Sequence, residues 1–421
     1  MVTELYTLWK SIISTLATFT LLIALFFLTF NLILYLVSLI LSLKRRVYAS
    51  PFGIITLKDT ISVLIPLYKE KFDAIMNTAV SILQQEYPKR LIEVILITEP
   101  NDEMTFKNAT KVARWLESNG IKTKVVKTNG SKNKAQALNA ALRYVKGRVI
   151  CVYDADDTFE SMQFLKAISL INQGHHAVGT RVYRYRDSIL GRFFLAETLV
   201  WFESMIPSIY NMIKIAPLSG EGLFIRKDVL WDIGGFPDSL AEDAMLTVIL
   251  ASKNYRIGFI DSHIIEKAPQ TWKSWMYQRI RWFKGYLHVF KELVKLDIAR
   301  KKKIALAYIF IMPMILALLM ISLVFLSINS IINTLLGETV ISALNGIFIK
   351  LFPQIIEFSA IFSYALVLLI TFIGASVTTI GRRMREILPY LMAMPIYLLL
   401  LSFIALIAII TRSRKWYKTI R

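Results

Sequence analysis

The 421-residue chain is 55% hydrophobic and carries 50 Lys and Arg against 30 Asp and Glu, a formal charge of +20. Its apolar content excludes an ordinary soluble protein and leaves room for one sizeable domain plus membrane spans. The charge does not mark a nucleic-acid binder: no nucleic-acid motif is present, and the basic residues gather at the ends of apolar tracts, where a membrane surface and an anionic small substrate account for them.

Four tracts, Ser11–Leu43, Ile304–Gly337, Phe358–Gly381 and Ile387–Thr411, contain no Asp, Glu, Lys or Arg. Each exceeds the roughly 20 residues that a helix needs to cross a bilayer. The first is too long for a signal-peptide core and lacks a small-residue cleavage pattern before Lys44, so residues 1–46 read as a retained anchor. Lys44, Arg45 and Arg46 follow it, and Arg300 to Lys303 precede the second tract. The positive-inside tendency therefore puts the intervening domain in the cytosol of an integral protein of the cell membrane, in contact with membrane lipids. The last tract has basic clusters on both sides, at Arg382 to Arg385 and Arg412 to Lys418. Both clusters stay internal if Pro389 or Pro395 breaks it into an interfacial or re-entrant segment, which gives three full spans. The lone cysteine, Cys151, excludes an intramolecular disulfide and suits a reducing compartment.

Between the anchors the pattern alternates. Strands are predicted over Asp59–Pro66, Leu91–Thr98, Thr123–Val126 and Arg148–Tyr153, separated by helices over 72–85, 106–118 and 135–145. Such alternation predicts an α/β domain over 47–266, with a mostly parallel sheet covered by helices on both faces and inserted between transmembrane helices. Residues 267–303 are expected as interfacial helices, and 304–421 as transmembrane and interfacial helices.

Ligands of parallel sheets bind at the carboxyl ends of the strands. Glu70 follows the first strand, Glu99 the second, and Asp154 and Asp156 the fourth. Two carboxylates spaced as Asp-x-Asp suit a hard divalent cation, Mg2+ or Mn2+, completed by substrate phosphates. Lys134 can offer charge to the same diphosphate. Glu242 and Asp243 open a helical run, where they can cap the helix or where Asp243 can serve as a general base. Gln278, Arg281 and Trp282 share one face of a further helix, at i, i+3 and i+4. Arg supplies a fork for phosphate oxygens and Trp a flat surface for a sugar, although a helix of this composition also suits a membrane interface.

In order, IPLYKE (65–70), ILITEPNDEMT (95–105), KAQALNAAL (134–142), VYDADD (152–157), SGEGLFIRKDVLWDIGGF (219–236), AEDAML (241–246) and QRIRW (278–282) resemble the membrane-integrated family-2 glycosyltransferases. That group includes cellulose, chitin, hyaluronan and poly-N-acetylglucosamine synthases. The resemblance implies a GT-A-type nucleotide-sugar-binding domain in which Glu70 and Glu99 line the nucleotide pocket, Lys134 and Asp154 face the diphosphate, and Asp156 is the principal metal ligand. Asp243 matches the general base, with Glu242 beside it at the substrate. Gln278, Arg281 and Trp282 match the pentad that holds diphosphate and acceptor sugar, and Ser219 to Gly222 match the acceptor loop. Alanine at 241 replaces a usual threonine, and Glu99-Pro-Asn-Asp replaces a commoner Asp-Asp-Gly. The ending Trp416-Tyr-Lys-Thr419 looks like that of several relatives. The expected activity is inverting, metal-dependent transfer from a nucleotide sugar, a UDP-sugar, onto a growing β-linked polysaccharide coupled to translocation. A single transfer to a membrane lipid is the alternative.

Overall fold

The computed structural model describes residues 58–335 and 384–411, together with the isolated Thr15. The expected spans at Ser11–Leu43 and Phe358–Gly381 and the ending at Trp416 to Thr419 lie outside the described residues, Thr15 excepted.

The first half alternates as the sequence predicts: β1 (Ile61–Leu67), α1 (Phe72–Leu83), β2 (Ile92–Thr98), α2 (Glu103–Ser118), β3 (Lys122–Lys127), α3 (Lys134–Ala141) and β4 (Val149–Val152). Capping sets the helix starts. The Asp102 side chain accepts from Thr105 N at 3.2 Å, which begins α2 three residues before the predicted start, and Asn133 accepts from Gln136 N at 2.9 Å to begin α3. These four strands are parallel, with β1 between β2 and β4. Every residue of β4, and all but one of β1, is buried, so helices cover both faces.

The second half comprises β5 (Thr158–Phe159), α4 (Gln163–Asn172), β6 (Ala177–Tyr185), α5 (Ile189–Val200), a π-helical turn (Trp201–Met205), α6 (Ile206–Ile213), β7 (Leu223–Arg226), α7 (Lys227–Asp232), α8 (Glu242–Ser252) and β8 (Ile257–Lys267). It completes one eight-stranded sheet in the order β3-β2-β1-β4-β7-β6-β8-β5. Here the predominance of parallel pairing ends: β7 runs antiparallel to β4 and β6, β8 parallel to β6, and β5 antiparallel to β8. The fold is therefore a mixed α/β sheet of GT-A-like form.

Beyond the sheet, residues 267–303 hold one long helix and the first turn of the next. The long helix is α9 (Trp272–Lys295), opened by a reciprocal cap between Thr271 and Ser274. Trp275, Gln278, Arg279, Phe283, Val289 and Leu293 are buried against the domain and against α10 (Arg300–Leu335) and α12 (Met394–Ile410). Helix α11 (Met384–Met392) packs on α5. Among the described residues no single helix is long and apolar enough to cross a membrane, whereas Glu386–Met392 and Ile396–Ile410 meet that test as a pair bent by 57°. The break expected in the last tract is present, and Pro395 stands in the first turn of its second helix.

Helix α9 reaches α8 through a glycine. A Cβ on Gly285 would lie 2.7 Å from the Ala241 Cβ and 3.1 Å from its backbone nitrogen, so only hydrogen there lets the two elements meet. Gly285→Ala is expected to lower the unfolding temperature, even though alanine is favoured over glycine inside a helix by about 1 kcal/mol. A rise in the calorimetric midpoint would show that α8 and α9 separate without strain.

Candidate active site

The chain order reverses about β1, which opens a crevice at the carboxyl ends of β1 and β4. Glu70 stands at its rim, where Glu70 N donates to Thr105 Oγ1 at 2.9 Å. Glu99 accepts from Thr128 Oγ1 and Ser131 N, both at 2.8 Å, so one of its oxygens is occupied in shaping the loop after β3. The turn after β4 is clamped from below. Asp157 accepts from Asp154 N at 2.7 Å, and Thr78 Oγ1 donates to the Ala155 carbonyl at 2.7 Å. Burial, and then the charges of Asp154, Glu221, Glu266 and Asp156, push the Asp157 carboxyl well above the usual range. The side chains of Asp154 and Asp156 line the cleft above it.

Lys134 begins α3 and closes this turn onto the opposite wall. Its Nζ donates to Asp154 Oδ1 at 2.7 Å and to the Gly220 carbonyl at 2.8 Å. Burial alone would favour the neutral amine, but Asp154, Glu242 and Glu221 outweigh it and hold the ammonium above its ordinary pKa. The loop that carries Gly220 turns at Gly222, whose φ of +63° and whose approach to Thr180, 2.1 Å for any Cβ, only glycine accommodates.

Asp243 lies in the first turn of α8, across from Lys134. Burial and the adjacent Glu242 raise its carboxyl to about 6, while the Ala244 N–H, Lys134 and Arg281 pull it back. A carboxylate of that pKa is ionised at neutral pH yet basic enough to take a proton from a polarised hydroxyl.

Helix α9 supplies the third wall. Gln278 is only 2% exposed, and its Oε1 has no hydrogen-bond partner among the described residues. A buried amide oxygen in that state suits a ligand hydroxyl. Two guanidiniums lie near the Trp282 ring, Arg279 at 4.6 Å and Arg184 at 5.0 Å from its centre.

All ten residues singled out in the sequence, Glu70, Glu99, Lys134, Asp154, Asp156, Glu242, Asp243, Gln278, Arg281 and Trp282, line one cleft of about 1510 Å³. That exceeds the roughly 300–1,000 Å³ of a site for one small ligand, so two substrates fit together. The same cleft is also lined by Phe194, Trp201, Met205, Ile309, Met312, Leu316, Met394, Leu398 and Leu401. Sequence reasoning missed Arg184, Glu197, Arg279 and Tyr397, which also line the cleft. Arg184 pairs with Glu221 and, at 2.5 Å, with Glu266. The available signal was a charged residue inside an apolar run, Glu197 in FFLAETLVWF.

Asp154 and Asp156 are a hard, all-oxygen donor pair that fits Mg2+ or Mn2+ provided substrate phosphates complete the set. Among the described residues no group of three or more His, Cys, Asp or Glu could hold a metal ion by itself.

The model of glycosyl transferase family group 2 matches residues 149–410, and that of glycosyl transferase family 2 matches residues 62–234. The probable glycosyltransferase YdaM of Bacillus subtilis is 33% identical over 236 residues, 54% of this chain and 56% of the relative. The beta-monoglucosyldiacylglycerol synthase of Trichormus variabilis is 24% identical over 232 residues, 53% of this chain and 48% of the relative. The chain thus matches about half the length of these curated relatives. Among solved structures, the mannosyltransferase PcManGT of Pyrobaculum calidifontis, in complex with GDP-Man and Mn2+, shares the fold with a TM-score of 0.60 at 18% identity, over 93% of this chain and 98% of that one.

Proposed function

The chain belongs to glycosyl transferase family group 2, and on that premise we propose that it moves one sugar from a nucleotide sugar to the hydroxyl of a membrane lipid. The observation that carries the acceptor class is the continuity of the charged cleft with an aliphatic compartment between α5, α10 and α12. A polysaccharide threading that compartment would bring hydroxyl groups against Ile, Leu and Met side chains that offer them no hydrogen bonds, at a cost of about 1–3 kcal/mol for each group left unpaired. An acyl chain gains there instead, by about 0.8 kcal/mol per buried CH₂. The synthase-like reading of the motifs keeps its catalytic half and gives up the polymer.

In this reading the nucleotide, UDP in the donor expected from the motifs, lies along Glu70 and Glu99, with its diphosphate beside Lys134 and Arg281. A divalent cation, Mg2+ or Mn2+, held by Asp154 and Asp156 with the diphosphate, supplies charge for the leaving group. Asp243 takes the proton of the acceptor hydroxyl as its oxygen attacks the anomeric carbon from the face opposite the nucleotide, which inverts the configuration. Gln278 accepts a sugar hydroxyl, and Trp282 stacks on the sugar. Glu242 holds Lys134 charged and Asp243 basic.

Membrane attachment is part of the proposal, with the catalytic domain on the cytosolic side. Met392 at 64%, Ile396 at 63% and Ile410 at 69% exposure face outward from α11 and α12, and the basic clusters flank the apolar tracts.

Three outcomes test the reading. Purified enzyme given a panel of radiolabelled nucleotide sugars and diacylglycerol-containing vesicles should move label into the organic phase as a single-sugar lipid; a water-soluble polymer would overturn the lipid acceptor. The kcat/KM profile should fall on the acid side of about pH 6, because Asp243 is a base only when ionised and its carboxyl titrates near that value. Asp243→Asn should lose that limb and at least about 100-fold in turnover, whereas near-normal turnover would leave Asp243 a helix cap. Chelation, or Asp156→Ala, should abolish transfer, and full activity of the wild type in excess chelator would remove the metal from the scheme.

A further inference from the structure

Along the cleft wall lies a largely buried polar chain that the transfer reaction leaves unassigned. Arg279, 3% exposed, donates to Glu197 through both terminal nitrogens, at 2.7 and 2.5 Å. Tyr397 donates to the same carboxylate at 2.7 Å and accepts from Trp275 Nε1 at 2.8 Å. The chain therefore joins α5, α9 and α12, and its guanidinium also faces Phe194 at 4.3 Å and Trp282 at 4.6 Å.

Helix packing alone does not call for this arrangement. Replacing a buried ion pair by apolar groups of similar volume is often neutral or stabilising, so three helices could meet here through Leu and Phe. A charge fixed at this point acts on what it faces, and it faces the Trp282 ring. The attraction between a cation and the ring quadrupole orients that ring, and Glu197 orients the cation in turn. Tyr397 makes α12, which also contributes Leu398 and Leu401 to the aliphatic compartment, the outer member of the chain.

We propose that Arg279, Glu197 and Tyr397 are positioning residues for the acceptor: they hold Trp282 at the angle that receives the acceptor head group and tie that angle to the helix lining the tail compartment. The inference rests on the transfer reaction proposed above. Donor binding lies on the Lys134 side and is left untouched by it.

The experiment measures, for purified full-length enzyme, the KM for diacylglycerol in vesicles, the KM for the nucleotide sugar, and nucleotide release without acceptor. Tyr397→Phe keeps the ring against Phe193 and Trp275 and removes only the hydroxyl. It should raise the acceptor KM about tenfold, the loss expected of one hydrogen bond to a charged group, with donor KM and hydrolysis within about twofold. Glu197→Gln strands the Arg279 charge and is expected to unfold more readily. The double variant Glu197→Gln with Arg279→Gln removes both charges and should regain most of the melting temperature while keeping the acceptor defect. Recovery of the wild-type acceptor KM in the double variant, or equal losses in transfer and hydrolysis for Tyr397→Phe, would overturn the proposal and leave the chain a packing device. Wild-type enzyme that releases nucleotide but never labels lipid would bring down the acceptor reading and this inference together; normal wild-type transfer with an unchanged Tyr397→Phe would bring down this inference alone.

Discussion

The cleft is organised by one ion pair, Lys134 with Asp154. Lys134 begins α3, Asp154 follows β4, and the Gly220 carbonyl that shares the ammonium comes from the loop before β7. Three segments distant in sequence therefore converge on one positive charge. The pair matters because the walls are rich in carboxylates: Glu70, Glu99, Asp156, Glu221, Glu242 and Asp243 all border the same space. Uncompensated, they would repel a diphosphate and raise one another's pKa values. Arg184 is engaged with Glu221 and Glu266, and Arg279 with Glu197. Lys134 and Arg281 also hold down the pKa of Asp243.

How far the sequence could be read follows from where each residue's partners lie. In β1, β2 and β4 nearly every side chain is buried, so the strands appear as continuous apolar runs and the acids at their ends stand out. Strand β6 is different. Its AVGTRVYRY carries Arg181 and Arg184, whose partners Glu203, Asp261, Glu221 and Glu266 only the fold brings beside them. None of those partners is within reach in sequence. The same blindness hid Arg279, which stands inside the QRIRW tract but points to Glu197 on another helix. Strand order in the second half was equally illegible, because β7 inserts between β4 and β6 and only the assembled sheet shows it.

Helix α9 has two different faces. Trp272 and Tyr277 remain exposed, as a helix near a membrane surface allows. Trp275, Gln278 and Arg279 face inward and are buried among side chains of α5 and α12. One helix thus presents aromatic residues to the outside and the site to the inside. Its i, i+3, i+4 spacing brings Gln278, Arg281 and Trp282 to the same cleft.

The two halves of the cleft impose opposite demands on solvent. Diphosphate and carboxylates are stable in water and expensive to bury, whereas an acyl chain gains only by leaving water. A single site can serve both when charged groups line one end, aliphatic groups line the other, and the reacting hydroxyl lies between them. Gln278, Arg279 and Trp282 occupy that boundary. Asp243 stands just on the charged side, dehydrated enough to reach a pKa of about 6 yet close enough to Lys134 and Arg281 to stay ionised at neutral pH. Moving it toward the aliphatic end would neutralise it, and moving it into open water would return it to the weak basicity of a free carboxylate. The close contact of Gly285 with Ala241 packs α9 against the start of α8, which carries Asp243.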